Sequence, residues 1–286
     1  MIFKYHIQTS MTLKSFLYEQ QFSKKTISAI KQNGALLVNG DPKTVRYTLQ
    51  SDDSLEVHLP KELPSPYLQP FLAPLDILYE DEWLLVVVKP QQQNTAPSRE
   101  HPHESLVEQV LAYMQQRNER GIPHVVTRLD RNTTGIVIIA KSRHVHHLMS
   151  RIEIEKYYEC ICHGVLEQDG FIDVPIARDT QSIIKRRVSE DGKSALTYYA
   201  PIKNFKTYTW CRVKLETGRT HQIRVHFEYI NAPLPLVGDT LYGGAHPTYQ
   251  TQLLKCAEVR FVHPLTNKEI NIRNQHPNFE QVLTTL

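Results

Sequence analysis

Residues 60–74, PKELPSPYLQPFLAP, contain five prolines, and this run constrains the fold more than any other stretch of the chain. Proline fixes its backbone φ and lacks an N–H, so the run cannot form a long helix or a central strand. An extended, semi-rigid linker is the expected conformation. We therefore predict a small unit at residues 1–60, a linker at residues 61–74 and a larger unit at residues 75–286.

The composition is that of an ordinary folded protein. Apolar residues make up 41% of the chain and charged residues 22%, which is enough to build a sizeable core. No run approaches the roughly 18 apolar residues that a membrane span needs, and the N-terminus lacks the apolar segment of a signal peptide. We therefore expect a cytoplasmic protein with no membrane partner, and a monomer is the default expectation.

The small unit has the pattern of two helices followed by a hairpin. Ser23 is suited to cap the second helix, and Asn33-Gly34 to end it. The segment ALLVNG is then predicted to be a strand closed by the Asn39-Gly40 turn. Residues 22–47 contain five basic residues and only one acid, Asp41. This excess of positive charge indicates a surface that contacts phosphate, with a solvated basic face as the alternative. The basic residues are Lys24, Lys25, Lys31, Lys43 and Arg46.

The large unit has more predicted strands than helices. The apolar runs Trp83–Val88 and GIVIIAKS suit strands that are buried on both faces. Several other segments, among them GFIDVPI and YTWCRVKLET, are predicted strands separated by turn residues. The segments RHVHHLMSRIEIEK and GRTHQIRVHFEYI are predicted helices, the second with Thr220 as its N-cap. We therefore predict an α+β fold with a large, mainly antiparallel sheet, beside a small α/β N-terminal domain.

The segment TRLDRNTTGIVIIAKS sets one carboxylate between two guanidiniums at the mouth of a predicted buried strand. Asp130 lies between Arg128 and Arg131, and Gly135 allows another backbone or a substrate to approach closely. Asp130 is a structural salt-bridge acid, one of two glycosidase carboxylates, or a lone nucleophile. A hydrolytic glycosidase needs a second acid to activate water, and none lies at an obvious partner position. A single carboxylate suits a glycosyl rearrangement that needs no water.

The cysteines and histidines do not indicate a metal site. The four cysteines form no CxxC pair and are expected to be reduced, mostly buried thiols. The HVHH run at 144–147 has no carboxylate or cysteine partner at ligand spacing. We therefore expect no bound metal.

Several segments of the large unit carry a family resemblance through their identity, order and spacing. They are ILYEDEWLLVVVKP, RLDRNTTGIVIIAKS, KYYECICHG, LETGRTHQIRVHF followed by VGDTLYGG, and EVRFVHPLTNKE. Together they cover about residues 75–275 and resemble the pseudouridine synthases of the large-subunit rRNA type. The helix pair and Val-Asn-Gly strand at about residues 11–60 resemble the S4-type RNA-binding domain.

The resemblance implies an isomerase that converts uridine in RNA to its carbon-glycoside isomer without a metal or cofactor. It implies that Asp130 is the catalytic carboxylate, acting as nucleophile or base, and that Tyr158 is the active-site tyrosine. Tyr157 is the competing choice, and strand alternation puts the two on opposite faces. The resemblance implies that Arg224 pairs with the aspartate and that Arg128 fills the space of the extruded base.

RNA is the implied partner, and S4-linked members of the family favour large-subunit (23S) rRNA over tRNA. Arg131 is expected to contact phosphate, as are the basic residues of the small unit, with a solvated position as the alternative. The chain departs from the usual family pattern at Thr127, Asn132 and Val88. These departures bear on substrate choice and loop contacts rather than on the reaction.

Two other classes of function remain open. A catalytically inactive RNA-binding or ribosome-assembly protein would keep the same fold, but the intact Asp130, Tyr158 and Arg224 argue against it. A nucleosidase or glycosidase would release free uracil and would depend on a second acid.

Overall fold

The computed structural model describes residues 1–119, 121–230 and 233–286. Within them, no helix has the length and apolar character that crossing a membrane requires. Residues 1–60 form a four-stranded antiparallel sheet in the order β1-β6-β3-β4, a two-stranded sheet of β2 and β5, and two helices. These elements are β1 (Ile2–His6), β2 (Met11–Thr12), α1 (Leu13–Glu19), α2 (Lys24–Asn33), β3 (Ala35–Val38), β4 (Asp41–Pro42), β5 (Thr48–Leu49) and β6 (Ser54–His58).

Local sequence signals set the ends of the elements in this unit. The Ser23 hydroxyl caps α2 by accepting a hydrogen bond from the Thr26 N–H at 3.1 Å, and Gly34 ends the helix, as the sequence predicted. Asn39 and Gly40 turn the chain between β3 and β4, both with positive φ. Side chains at helical spacing in α1 and α2 are buried, which fixes the helices on the sheet.

The larger unit is built on a ten-stranded sheet. Its path runs β12-β15-β16-β11-β17-β10-β8-β7, with β18 beside β17 and β9 beside β10. The elements are β7 (Asp76–Glu80), β8 (Leu84–Lys89), α3 (Leu106–Gln116), β9 (His124–Val125), β10 (Thr134–Ala140), α4 (Arg143–Met149), β11 (Glu155–His163), β12 (Gly170–Asp173), β13 (Ile176–Arg178), β14 (Arg186–Val188), β15 (Leu196–Phe205), β16 (Tyr208–Leu215), α5 (Gln222–Tyr229), β17 (Leu254–Val262), β18 (Glu269–Arg273) and α6 (Phe279–Thr285). Among the described strands of this sheet, only β10 and β17 pair in parallel. The predicted α+β fold with a large, mainly antiparallel sheet is confirmed.

The strands that lead to the site are the most deeply buried. All seven residues of β10 are buried, and β10 pairs with the apolar strand β8 over six residue pairs. These are the two runs that the sequence predicted to be buried on both faces. Because β10 is hydrogen-bonded to strands on both sides, the loop that leads into it is anchored at residue 134.

Two element predictions were wrong in their extent. The helix predicted over RHVHHLMSRIEIEK ends at Met149, and Glu155 already belongs to β11. The alternating Ile-Glu-Ile-Glu sequence has the period of a strand, which explains the early end. The segment GFIDVPI is two strands, because Pro175 lacks the N–H that a continuous ladder needs.

The proline-rich segment at residues 61–74 forms no helix or strand, and it lies against the larger unit. Glu62 bonds the His124 ring at 2.8 Å and accepts a hydrogen bond from the Arg143 N–H at 2.8 Å. The small unit also contacts α4, where the Phe22 ring stacks on the buried His144 ring with centroids 3.9 Å apart. Burial lowers the pKa of His144 to about 4, so the stacked ring is neutral at physiological pH. The division into three segments stays a prediction.

Candidate active site

A cleft of about 290 Å³ opens where the loop before β10 faces the start of α5. This volume is near the lower end of the range for small-molecule sites. Asp130 and Arg128 come from the loop, Tyr158 from β11, and His221 and Arg224 from the α5 region. The cleft therefore joins segments that lie almost a hundred residues apart in the sequence.

The loop that carries Asp130 is held by hydrogen bonds to its backbone. The Thr95 hydroxyl donates to the Leu129 carbonyl at 2.9 Å and accepts from the Leu129 N–H at 3.2 Å. The Thr133 N–H donates to the Asp130 carbonyl at 3.0 Å. These hydrogen bonds fix the backbone on both sides of Asp130 and so restrict where its side chain can lie. Such preorganisation is what a catalytic group needs.

The buried Lys89 side chain holds the backbone of this loop through hydrogen bonds. Its ammonium group donates to the carbonyls of Pro90, Gln93 and Arg131 at 2.7, 2.8 and 3.0 Å. Burial lowers the pKa of Lys89 to about 7, and the nearby Asp130 opposes that shift. Three carbonyl acceptors match the three N–H donors of the charged form. No local sequence pattern indicates this role for Lys89.

Gly135 is required by the close approach of two strands. It has φ +112°, and a Cβ at this position would collide with the backbone of Cys256, its partner in the parallel pairing. The close approach that the sequence suggested is therefore made by the β17 backbone rather than by a ligand.

Arg224 bridges two carboxylates. Its Nη1 lies 3.7 Å from Asp130 Oδ2, while its Nε and Nη2 donate to Asp239 at 2.7 and 2.8 Å. Both Arg224 and Asp239 are buried. Burial by itself would lower the pKa of Arg224, but the hydrogen bonds and charge of Asp239, together with the charge of Asp130, raise it. The tighter partner of Arg224 is thus Asp239, which the sequence analysis did not single out.

His221 lies near the same Asp130 oxygen as Arg224. Its Nε2 lies 3.8 Å from Asp130 Oδ2, and its Nδ1 is 2.8 Å from the Tyr242 hydroxyl. Burial lowers the pKa of His221 and raises that of Tyr242 to about 12. The ring is therefore held with one nitrogen on Tyr242 and the other turned to Asp130.

The start of α5 differs from the prediction. The helix begins at Gln222, and His221 precedes it in the left-handed conformation with φ 60°, so Thr220 is not the N-cap. The Gln222 side chain accepts hydrogen bonds from the Thr217 hydroxyl and the Arg219 N–H, both at 2.9 Å. These bonds close the turn before the helix and take the place of a hydroxyl cap.

Tyr158 is the tyrosine that lines the cleft. Burial, with the nearby Cys256 and Asp130, raises its pKa well above the ordinary value, so it stays a neutral phenol. Tyr157 points to the opposite face of the sheet, where its ring lies between the guanidinium groups of Arg212 and Arg260. The alternation of β11 thus separates the two candidates.

The other candidate residues divide between the cleft and the outer surface. Arg128 is exposed and lines the cleft. Arg131 is exposed on the far side of the loop, beside Phe71 and Gln91, and does not line it. The remaining candidates are exposed side chains of the small unit and do not line the cleft, namely Lys24, Lys25, Lys31 and Arg46.

Comparisons with known proteins show which family the chain belongs to. Residues 83–229 match the family model described as RNA pseudouridylate synthase. The uncharacterized RNA pseudouridine synthase YjbO of Bacillus subtilis is 40% identical over 93% of this chain and 96% of its own. Ribosomal large subunit pseudouridine synthase D of Xanthomonas campestris is 31% identical over 87% of this chain and 80% of its own. A solved structure, human RNA pseudouridylate synthase domain containing 1, shares the fold with a TM-score of 0.59 at 20% identity, over 76% of this chain and 87% of that chain.

The fold and the relatives define an isomerase that acts on RNA. The chain belongs to the RNA pseudouridine synthase family, in the branch that includes the large-subunit rRNA type.

Proposed function

We propose that this pseudouridine synthase acts on a uridine of large-subunit (23S) rRNA, with Asp130 as the catalytic carboxylate. The observation that carries the assignment of Asp130 is its position in the cleft, with Tyr158 beside it and Arg224 3.7 Å away. The printed names of several relatives, ribosomal large subunit pseudouridine synthase D, support rRNA as the substrate.

The reaction is an isomerisation in which the N1–C1′ bond breaks, the uracil turns, and C5 bonds to C1′. The proton lost from C5 and the proton gained at N1 balance, so no water or redox partner is consumed. Asp130 acts either by attacking the sugar or by taking a proton from it. Arg224 holds a positive charge 3.7 Å from this carboxylate.

Two further residues handle the base. The uridine has to leave its stack to reach Asp130, and the cleft opens to solvent beside Arg128. The planar guanidinium of Arg128 can stack where the extruded base was. The Tyr158 ring offers the uracil an apolar face, and its phenol remains protonated.

We also infer that residues 1–60 act as an S4-like RNA-binding domain. Its exposed basic side chains lie on α2 and in the turn between β4 and β5, and they have phosphate-binding chemistry. They are Lys24, Lys25, Lys31 and Arg46. Arg131 is a further phosphate contact in this proposal, because it is exposed next to the catalytic loop.

Mapping pseudouridines in total RNA from cells with and without this chain tests the substrate. We expect one or a few uridines of large-subunit rRNA to lose the modification without it, and to regain it with the wild-type chain but not with Asp130→Ala. A change confined to tRNA would contradict the rRNA assignment. If all RNA were unaffected, the wild-type chain would have no such target, and the inactive RNA-binding protein would be favoured.

Deletion of residues 1–60 should weaken RNA binding while leaving the catalytic part folded. The deletion uncovers the His144 ring, so we expect a lower Tm but one cooperative transition. Full-length Lys24→Glu/Lys25→Glu is the matched control, because these exposed residues can be changed without disturbing the packing. It should lose affinity without the change in Tm. Loss of cooperative unfolding in the truncated chain would contradict the two-domain division.

A further inference from the structure

The sheet face opposite the cleft carries a row of side chains at one register across six adjacent strands. Each pair of neighbours in this row is a paired residue position of the sheet. We name it the back-face row, and in strand order β12-β15-β16-β11-β17-β18 it consists of Phe171, Tyr198, Lys214, Tyr157, Glu258 and Arg273. Strands lie about 4.8 Å apart, so the row is about 24 Å long.

One end of the row is aromatic and open to solvent. The side chain of Phe171 is 65% exposed and that of Tyr198 is 41% exposed, and their ring centroids are 6.2 Å apart. Their strand neighbours Ile172 and Thr197 are buried on the other face. Two adjacent aromatic rings on an open sheet face have no structural need to be exposed, which indicates a binding surface.

The other end has more guanidinium groups than carboxylates. Glu258 accepts hydrogen bonds from Arg212 and Arg260 at 2.7 and 2.6 Å, and Arg273 forms an ion pair with it at 3.2 Å. The Glu258 side chain is only 4% exposed, whereas the Arg273 side chain is 62% exposed. The group carries two excess positive charges, and each guanidinium has five N–H donors. Most of those donors remain available to an anion that approaches from solvent.

The middle of the row separates these two ends. Lys214 contacts both Glu155 and Glu216, at 3.3 and 3.1 Å, so these three side chains together carry one net negative charge. Excess positive charge is therefore greatest around Glu258, where Arg260 and Arg273 lie about 14 to 19 Å from Tyr198 by strand spacing. Arg212 reaches this group from β16, the strand next to that of Tyr198. A ligand that matches the row has flat apolar groups at one end and negative charge at the other.

We propose that the back-face row binds a single-stranded segment of RNA, with bases on Phe171 and Tyr198 and phosphates at the arginine end. Aromatic rings stack on any base, and guanidinium forks match phosphate oxygens. RNA-binding sheets with aromatic residues on an open face use the same arrangement. The proposal rests on RNA as the partner of this enzyme. It adds a contact on the face opposite the cleft, so that the substrate would be held on two sides of the sheet.

An oligoadenylate octamer tests this surface, because it contains no uridine to react in the cleft. We expect Phe171→Ala/Tyr198→Ala to weaken its binding tenfold or more, measured by fluorescence anisotropy. Arg273→Gln should reduce the slope of log Kd against log salt by about 0.7, the value for one phosphate contact to a single strand. Glu258 keeps two arginine partners in this variant, so the fold should persist.

Matched controls test whether the loss of any exposed ring or any exposed charge has the same effect on binding. Tyr67→Ala removes an 84% exposed ring from the linker, and Lys61→Gln removes an exposed charge there. Both should bind the octamer like the wild type, and equal Tm values would show that all variants are folded. Wild-type affinity in Phe171→Ala/Tyr198→Ala would overturn the proposal. So would binding of hexaglutamate, but not the octamer, through Arg273, since that would indicate an acidic protein partner.

Pseudouridine formation distinguishes this inference from the proposed function. The back-face variants should keep wild-type single-turnover rates at saturating RNA, because neither Phe171 nor Tyr198 lines the cleft. If no RNA is modified by the wild type but octamer binding still depends on the back-face row, the proposed function fails and this inference stands. If RNA is modified and octamer binding ignores the row, the inference fails alone.

Discussion

Asp130→Asn is expected to fold like the wild type and to lose pseudouridine formation by at least about four orders of magnitude. Removing the nucleophile of an enzyme typically costs about 10⁴- to 10⁶-fold in rate. Asparagine has nearly the same shape, but it has no negative charge with which to attack or deprotonate the sugar. The buried Arg224 keeps its hydrogen-bonded partner Asp239, so the substitution does not leave that guanidinium unpaired. Release of tritium from C5 of labelled uridine, under single-turnover conditions, measures the loss.

Two controls show whether the loss of rate is due to the missing carboxylate. RNA affinity should change by less than about threefold, because the basic residues that we propose to bind phosphate are untouched. Asp130→Ala should be equally inactive, which excludes activity from asparagine that has deamidated to aspartate. A rate within tenfold of the wild type in both variants would show that Asp130 is not the catalytic carboxylate.

Much of the fold could be predicted because the signals are local. The two apolar runs that became β8 and β10 are buried on both faces, and residues at their ends carry the site. Ser23 and Gly34 set the limits of α2 as expected. Asp130 stood out because a carboxylate between two arginines precedes a buried strand, and the structure puts it in a cleft.

The rest could not be predicted from local patterns because it depends on tertiary contacts. Asp239 lies fifteen positions after Arg224 and was part of the quoted VGDTLYGG segment, yet nothing local indicates that the two form a bidentate pair. A buried arginine needs an acidic partner, and this requirement is the signal that could have found it. The left-handed turn at His221 is likewise set by side-chain bonds of Gln222 rather than by a capping motif.

The back-face row also could not be predicted from local sequence patterns. Phe171 and Arg273 are about a hundred positions apart, and only the register of six strands brings them into one line. Alternation within β11 did predict that Tyr157 and Tyr158 face opposite sides. It could not predict which strands would lie beside them, because pairing order in a sheet is not encoded in the period of a single strand.

The Arg224–Asp239 pair should respond to substitution in a way that separates stability from catalysis. Arg224→Met leaves Asp239 buried without its cation, and Asp239→Leu leaves Arg224 with only the more distant Asp130. Removing one member of a buried ion pair costs about 3–5 kcal/mol, so each single variant should have a markedly lower free energy of unfolding. Replacing both members with apolar residues of similar size should recover most of that loss. Urea unfolding of the four proteins measures this cycle.

Activity should not follow stability in the double variant. In the Arg224→Met/Asp239→Leu protein, Asp130 has lost the guanidinium that lies 3.7 Å away, while His221 still lies 3.8 Å from it. Removing one preorganised electrostatic partner typically costs about 10²- to 10³-fold in rate, so tritium release should stay at least about a hundredfold below the wild type. If the double variant instead regained activity together with stability, Arg224 would serve only to neutralise Asp239. The charge beside Asp130 would then be dispensable, and His221 would become the residue to test next.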